Sequence, residues 1–226
     1  MIPLRDYNPT RRVPWMTVAI ILANAAVFAV ELGVPRDALP AFIVSNAFVP
    51  ARFLASPFSP SQWLTVFAAM FMHAGWLHIG GNMLYLWIFG NNIEDRLGSL
   101  PFLGFYLTAG IAATAAQTLA SPTSAMPTLG ASGAIAGVLG AYLVLFPGAV
   151  VLTLVPVFFF LEIARLPAFV VIGFWFVLQL ANGALSLDPA VAASGGVAWF
   201  AHIGGFVAGL ALVAPLAIAD RARRNR

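Results

Sequence analysis

The chain of 226 residues contains no cysteine and no lysine. Without cysteine there is no disulfide framework and no thiolate ligand for a metal. Charge is scarce too: Asp, Glu and Arg make up only 8% of the sequence, about a third of the usual share. A composition that is 61% hydrophobic, with mean hydropathy +0.93, belongs to a membrane protein rather than to a soluble core. The net charge of +3 is carried by arginines in loops and tails. That pattern orients a protein in a bilayer and argues against nucleic-acid binding. No His-Glu-x-x-His motif is present, which excludes the usual zinc-protease helix. Two mid-membrane aspartates, as an aspartyl chemistry needs, are missing as well: Asp6, Asp37, Asp95, Asp188 and Asp220 read as loop or end residues.

What the sequence does have is a series of apolar runs. Spans are expected at about 14–32, 77–93, 101–119, 132–146, 167–187 and 198–219, giving an all-α polytopic bundle of six transmembrane helices in one membrane domain, 1–226. Residues 1–12 are polar and lack a cleavable signal pattern. Between the first two spans lies a long first loop with Pro35, Pro40, Pro50, Pro57 and Pro60, expected to hold short amphipathic pieces in the membrane interface. Val150 to Phe160 is apolar but short and interrupted by Pro156, so it reads as another interfacial piece. Six spans put both termini on one side. Nine of the eleven arginines then fall on that side, and only Arg36 and Arg52 on the other. The positive-inside rule therefore puts both termini in the cytoplasm, as in a bacterial cytoplasmic membrane.

The fourth span organises the rest. Ala120 to Leu129 is polar and broken by Pro122 and Pro127, and the apolar helix begins at Gly130-Ala131-Ser132-Gly133. It closes at Pro147-Gly148, so it offers roughly 22 Å of helix against a hydrocarbon core of about 30 Å. Ser132 is thus expected at a helix start below the extracytoplasmic surface.

Few polar groups accompany it inside the spans. His78 and Asn82, four apart, share one face of the second span. His202 stands near the start of the sixth, above Gly205 and Gly209. Gly133, Gly137 and Gly140 repeat that spacing in the fourth, and small residues on facing stripes let two membrane helices approach closely. Taken singly, each feature has an ordinary explanation. A serine in a membrane helix usually bonds back to its own helix, a glycine stripe is common packing, and a His–Asn pair is often a structural bond. Taken together they are what acyl transfer requires. Neutral His202 can take the proton of Ser132, and His78, Asn82 and the Ser132 backbone N–H can hold an oxyanion. No carboxylate within a span is available to orient the histidine, so a Ser–His dyad is expected rather than a triad.

On these residues the chain resembles a rhomboid-family intramembrane serine protease. The Gly-x-Ser-Gly motif corresponds to Gly130, Ser132 and Gly133, the Ala-His-x-x-Gly-x-x-x-Gly motif to Ala201, His202, Gly205 and Gly209, and His-x-x-x-Asn to His78 and Asn82. Glu94 and Arg96 resemble the Glu-x-Arg element after the second span and read as a structural brace. The resemblance implies a six-helix rhomboid-like bundle that cleaves transmembrane segments of other proteins near the extracytoplasmic interface, with no cofactor and no metal. Its partners would be transmembrane protein substrates and the lipid bilayer. Ala136 stands where some members carry an aromatic ring beneath the histidine, so the imidazole needs another support. The Trp-Arg pair of many first loops is not evident. His73, five residues before His78, is expected to be structural. Phe174, Trp175 and Phe176, with the Ala/Gly/Ser-rich loop 185–197, read as a lateral gate. The alternative is a non-proteolytic rhomboid-like protein that binds membrane clients; such relatives lack the Ser or the His, and both are present here. A small transporter is weaker still, since no internal repeat or charged pathway is evident.

Overall fold

The computed structural model describes residues 1–188 and 196–224. Residues 189–195, within the expected gate loop, and 225–226, at the end of the arginine tail, lie outside the described residues.

Among the described residues, four helices are long and apolar enough to cross a membrane: α1 (Trp15–Gly33), α7 (Ser99–Ala120), α9 (Ala168–Leu185) and the Trp199–Ala219 part of α10 (Trp199–Arg224). α8 (Ser132–Leu145) is apolar but has only 14 residues. The second expected span is a continuous helical run of three pieces, α5 (Trp76–Tyr85), a π-helical stretch (Leu86–Gly90) and α6 (Asn91–Leu97). Between α1 and α5, Pro40, Pro50 and Pro60 of the long loop begin helices instead of breaking them, while Pro35 and Pro57 lie in the connections. α2 (Leu39–Asn46), α3 (Pro50–Ala55) and α4 (Pro60–Ala69) each carry proline at the first or second position, where its missing N–H costs no helical bond.

The bundle is not purely helical, which corrects the all-α expectation. Strand β1 (Ile2–Asp6), expected as part of a polar tail, pairs antiparallel with β2 (Val150–Val157), which forms a hairpin with β3 (Phe160–Pro167) in the sheet order β1-β2-β3. The supposed interfacial piece is therefore a strand. Its Val, Leu and Thr residues suit a pleated surface. Pro156 is tolerated because it lies opposite Leu161, past the residues that β1 pairs, so its absent N–H costs no bond to β1. The pairing also ties the N-terminal segment and the α8–α9 connection to one end of the bundle.

α8 is the axis of the structure. Every residue from Gly133 to Tyr142 is buried, and its most extensive contacts are with α10, followed by α7. Such contact rests on small residues. A methyl added to Gly205 would overlap the Gly133 carbonyl oxygen, and one on Gly209 would overlap that of Gly137. On the other side of α8, a methyl on Gly137 would come 2.5 Å from the Cβ of Ala109 in α7. The glycine stripes of α8 and α10 thus bring the two backbones into direct contact.

Glu94 closes the opposite end of the α5–α6 run. Its carboxylate accepts the Met16 N–H (2.8 Å), the Thr17 N–H (2.7 Å), the Thr17 hydroxyl (2.8 Å) and the Ser99 hydroxyl (2.5 Å). The first two are first-turn donors of α1, which have no partner within their own helix, so the carboxylate caps α1 from a neighbouring helix. Burial alone would raise the Glu94 carboxyl; the four donors outweigh it and hold the group below the usual carboxylate range. Asp95 adds bonds from the Arg11 and Arg12 N–H groups at 3.2 and 2.9 Å. Arg96, expected to share the brace, lies exposed on α6.

Candidate active site

The loop before α8 delivers Ser132. Phe48 and Thr128 exchange backbone bonds, and the Gly130 N–H donates to the Ala69 carbonyl at 2.8 Å, fixing the approach from two sides. Gly130 has φ +124°, a conformation that suits glycine. Its bare α-carbon also makes room for the His78 ring, whose Cε1 and Nε2 would lie 2.8 Å from an added methyl. Ser132 is then the first residue of α8, and its backbone N–H, like those of any first turn, has no acceptor within the helix.

The Ser132 hydroxyl is 2.7 Å from His202 Nε2, and the imidazole Nδ1 is 2.8 Å from the Gln179 Oε1. Gln179, on α9 and only 5% exposed, is itself oriented, because its Nε2 donates to the Trp175 carbonyl at 3.0 Å. Reversing that amide would set two oxygens against each other at Trp175. Oε1 therefore faces His202 and accepts the Nδ1 proton, which leaves the Nε2 lone pair for the Ser132 O–H. One tautomer is selected by a chain of three hydrogen bonds.

Gln179 is the residue that the sequence reading missed. It answers the question raised by Ala136, a buried residue with no ring to offer. Support for the imidazole comes instead from Gln179 and from two indoles. Trp175 lies 5.9 Å from the His202 ring at 36°, and Trp199 lies edge-on at 6.2 Å. The available signal was an amide one turn after a tryptophan in a largely apolar span, which also carries Asn182. Trp175 thus faces the histidine and Phe206, and Phe176 stacks on Phe206 at 4.1 Å. Of the three aromatics expected to form a gate, Phe174 is the exposed one.

His78 and Asn82 face the same space. The Ala74 N–H reaches His78 Nδ1 at 3.3 Å, which leaves the proton on Nε2, the atom turned toward Gly130. Asn82 is 8% exposed, and its Nδ2 has no hydrogen-bond partner. His78, Asn82, Ser132 and His202 line one cavity of about 1210 Å³, with Gln117, Trp175 and Trp199 also on its wall. His73 is buried beside it, its ring edge-on to His78 at 5.0 Å. Burial, and then the neighbouring His78, push the His73 imidazole down to about 4, so it is neutral at physiological pH. Its backbone N–H is held by both oxygens of Glu31 at 3.2 Å. Glu31 is a buried carboxylate inside α1 that the sequence reading passed over; it fixes the loop before α5. Among the described residues no cluster of His, Cys, Asp and Glu suits a metal ion.

Residues 60–218 match the family model described as the rhomboid domain. The chain is 32% identical over 151 residues to rhomboid protein 1, mitochondrial, of Saccharomyces cerevisiae, covering 65% of this chain and 40% of the relative. Similarity to the rhomboid protease GluP of Bacillus subtilis is 42% identity over 82 residues, 36% of this chain and 16% of that protein. The presenilin-associated rhomboid-like protein A, mitochondrial, of Danio rerio is 34% identical over 104 residues, 45% of this chain and 27% of that one. The chain thus spans less than half the length of each of these relatives.

Proposed function

Since the chain belongs to the rhomboid family, we propose that it is an intramembrane serine endopeptidase that cuts transmembrane segments of other proteins, with Ser132 as nucleophile and His202 as its base. The observation that carries this reading is the bonded series Ser132–His202–Gln179–Trp175. A serine merely packed in a membrane helix would bond back to its own turn. Here the hydroxyl is turned to an imidazole whose second nitrogen is already occupied.

In the proposed reaction the Ser132 oxygen attacks the scissile carbonyl as His202 Nε2 accepts its proton. The negative charge that develops on the carbonyl oxygen is met by the Ser132 N–H, the Asn82 amide and the His78 Nε2–H. As the C–N bond breaks, His202 returns the proton to the leaving amine. Water, deprotonated by the same imidazole, then releases the acyl group from Ser132. Gln179 is a positioning residue: it accepts the Nδ1–H through both half-reactions. No step calls for a cofactor.

On this reading α5–α6 and α8 complete a bundle of six spans, and the arginine distribution sets both termini on the cytoplasmic side. The short α8 then begins below the opposite surface, so the cut falls near the extracytoplasmic interface. A helical substrate must unwind there, because its carbonyls are otherwise bonded and shielded. Good substrates are expected to carry helix-weakening residues in the outer part of the span and a small residue before the scissile bond.

The test is purified protein against a panel of single-span substrates. Ser132→Ala and His202→Ala should each abolish cleavage with unchanged thermal unfolding, and the double variant should lose no more than either alone. Near-normal turnover by either single variant would overturn the assignment.

A further inference from the structure

The three-stranded sheet has two unlike faces. On one, Val151 and Thr153 are fully buried, and the ladder puts Asp6 opposite Val151 and Glu162 opposite Val155, so both carboxylates belong to that face. The other face is basic at its root and apolar beyond it. Arg5 and Arg165 flank Leu152, and both guanidinium groups lie 5.4 Å from the Tyr7 ring. Next along the same face come Ile2 and Ile163 on either side of Leu154, then Leu161. Ile2, Ile163 and Leu161 are 50%, 65% and 69% exposed. The hairpin ends in Phe158-Phe159-Phe160, at 96%, 98% and 73% exposure. Phe158 and Phe159 form the turn, and Phe160 opens β3 opposite Val157, on the face of Glu162. Three exposed phenylalanines at one tip form the kind of apolar patch that marks an interaction surface.

Continuity with the membrane-spanning helices identifies what covers it. β3 runs through Pro167 directly into α9, one of the four helices able to cross a membrane, and the Ala168 N–H bonds to the Ala149 carbonyl at 2.8 Å. The root of the hairpin is therefore fixed at the end of a span. Each hairpin strand, β2 and β3, has eight residues, a reach of about 26 Å, so the sheet stays in the vicinity of the bilayer. Segregation of charge points the same way, with both arginines on the apolar face and both carboxylates on the other.

We propose that the sheet lies on the bilayer as an interfacial anchor. Its apolar face and phenylalanine tip enter the boundary between headgroups and acyl chains, and Arg5 and Arg165 contact the phosphates of anionic lipids. Cations that keep their heads among phosphates while their stems lie on apolar surface are common at such boundaries. This holds whether or not the chain is a protease.

Because the chain has no cysteine, a spin label can be placed at one chosen position. Phe159→Cys, Leu161→Cys and, on the carboxylate face, Glu162→Cys would each be labelled in the full chain. Each is then reconstituted in vesicles of phosphatidylcholine with or without phosphatidylglycerol. Labels at 159 and 161 should be several-fold more accessible to oxygen than to a water-soluble nickel chelate, and the label at 162 the reverse. Phosphatidylglycerol should deepen the label at 159, and Arg5→Gln with Arg165→Gln should abolish that dependence. Nickel access at 159 and 161 equal to that at 162 would overturn the proposal. So would protection of both from oxygen and nickel alike, which would mean a protein covers the face. A lipid-charge dependence that survives the double arginine substitution would overturn the role of the cations.

Discussion

Asn82 and Glu94 lie on one helical run, about 18 Å apart along its axis, and both are nearly buried, at 8% and 2% exposure. Their surroundings differ in kind. Both oxygens of Glu94 are occupied, by four donors from α1 and α7, whereas the Asn82 Nδ2 has no partner. A buried donor left unpaired costs about 1–3 kcal/mol; the protein supplies every partner at Glu94, whereas the Asn82 amide is turned to the cavity it lines. A polar group that braces helices is saturated by the protein itself. On the proposed mechanism, one that meets charge on a ligand is left open. The same contrast separates His202, whose two nitrogens are engaged, from His78, whose Nε2 faces the cavity.

The difference is open to direct attack. On the proposed mechanism Asn82→Ala should have the largest effect, lowering kcat by about 100- to 1,000-fold while leaving thermal unfolding near the wild-type midpoint. A change confined to KM would sink the donor role. Gln179→Leu should come next: it removes the bonds to His202 Nδ1 and to the Trp175 carbonyl. The first, about 0.5–1.5 kcal/mol, bears on the imidazole, so kcat should fall about threefold to tenfold, and Gln179→Asn should not reproduce the wild-type rate. Unchanged kcat would show that the indoles of Trp175 and Trp199 hold the imidazole unaided.

Glu94→Gln should show the opposite pattern, with a lower unfolding midpoint in detergent and normal turnover per folded molecule. Charge-assisted bonds of this sort contribute about 1.5–3 kcal/mol each at most, shared here among four donors. Glu94 is held below its unfolded value, so its contribution is present above the unfolded pKa and is lost as pH falls through the folded one. Acidification should therefore bring the wild-type midpoint toward that of Glu94→Gln; parallel curves would refute the brace. The smallest effect belongs to Asp6, which accepts the Tyr142 hydroxyl at 2.8 Å. Burial raises its carboxyl, only partly opposed by the Tyr142 bond. Its contribution is thus present below the unfolded pKa and lost as pH rises through the folded one. Asp6→Asn keeps an acceptor without the charge and should gain slightly on the wild type between acidic and neutral pH, as followed by the unfolding midpoint. A loss at neutral pH would show that the ionised form is the one the sheet requires.

The membrane character of the chain and the boundaries of its apolar runs were legible because burial in lipid demands continuous hydrophobicity. α1, α7, α8 and α9 begin and end within about two residues of expectation. Ser132, His202, His78 and Asn82 stood out for the same reason, since a polar group in an apolar run has few neutral explanations. Gln179 was equally polar but carried no spacing or partner in sequence to distinguish it, and Glu31 was hidden near a span end. The sheet was illegible at its source: an apolar eight-residue stretch does not declare helix or strand by periodicity alone. What made it a strand was pairing along its whole length with β3, and with β1 supplied from the far end of the chain.

The sequence by itself determined which residues had to be in lipid, which small ones permitted close helices, and which few were chemically able to act. The tertiary structure alone decided that Gln179 of α9 faces His202 of α10, that Glu94 caps a helix remote in sequence, and that residues 2–6 complete a hairpin. Composition and periodicity report the environment each residue needs, whereas a hydrogen bond between distant segments exists only after packing has set its two ends within about 3 Å.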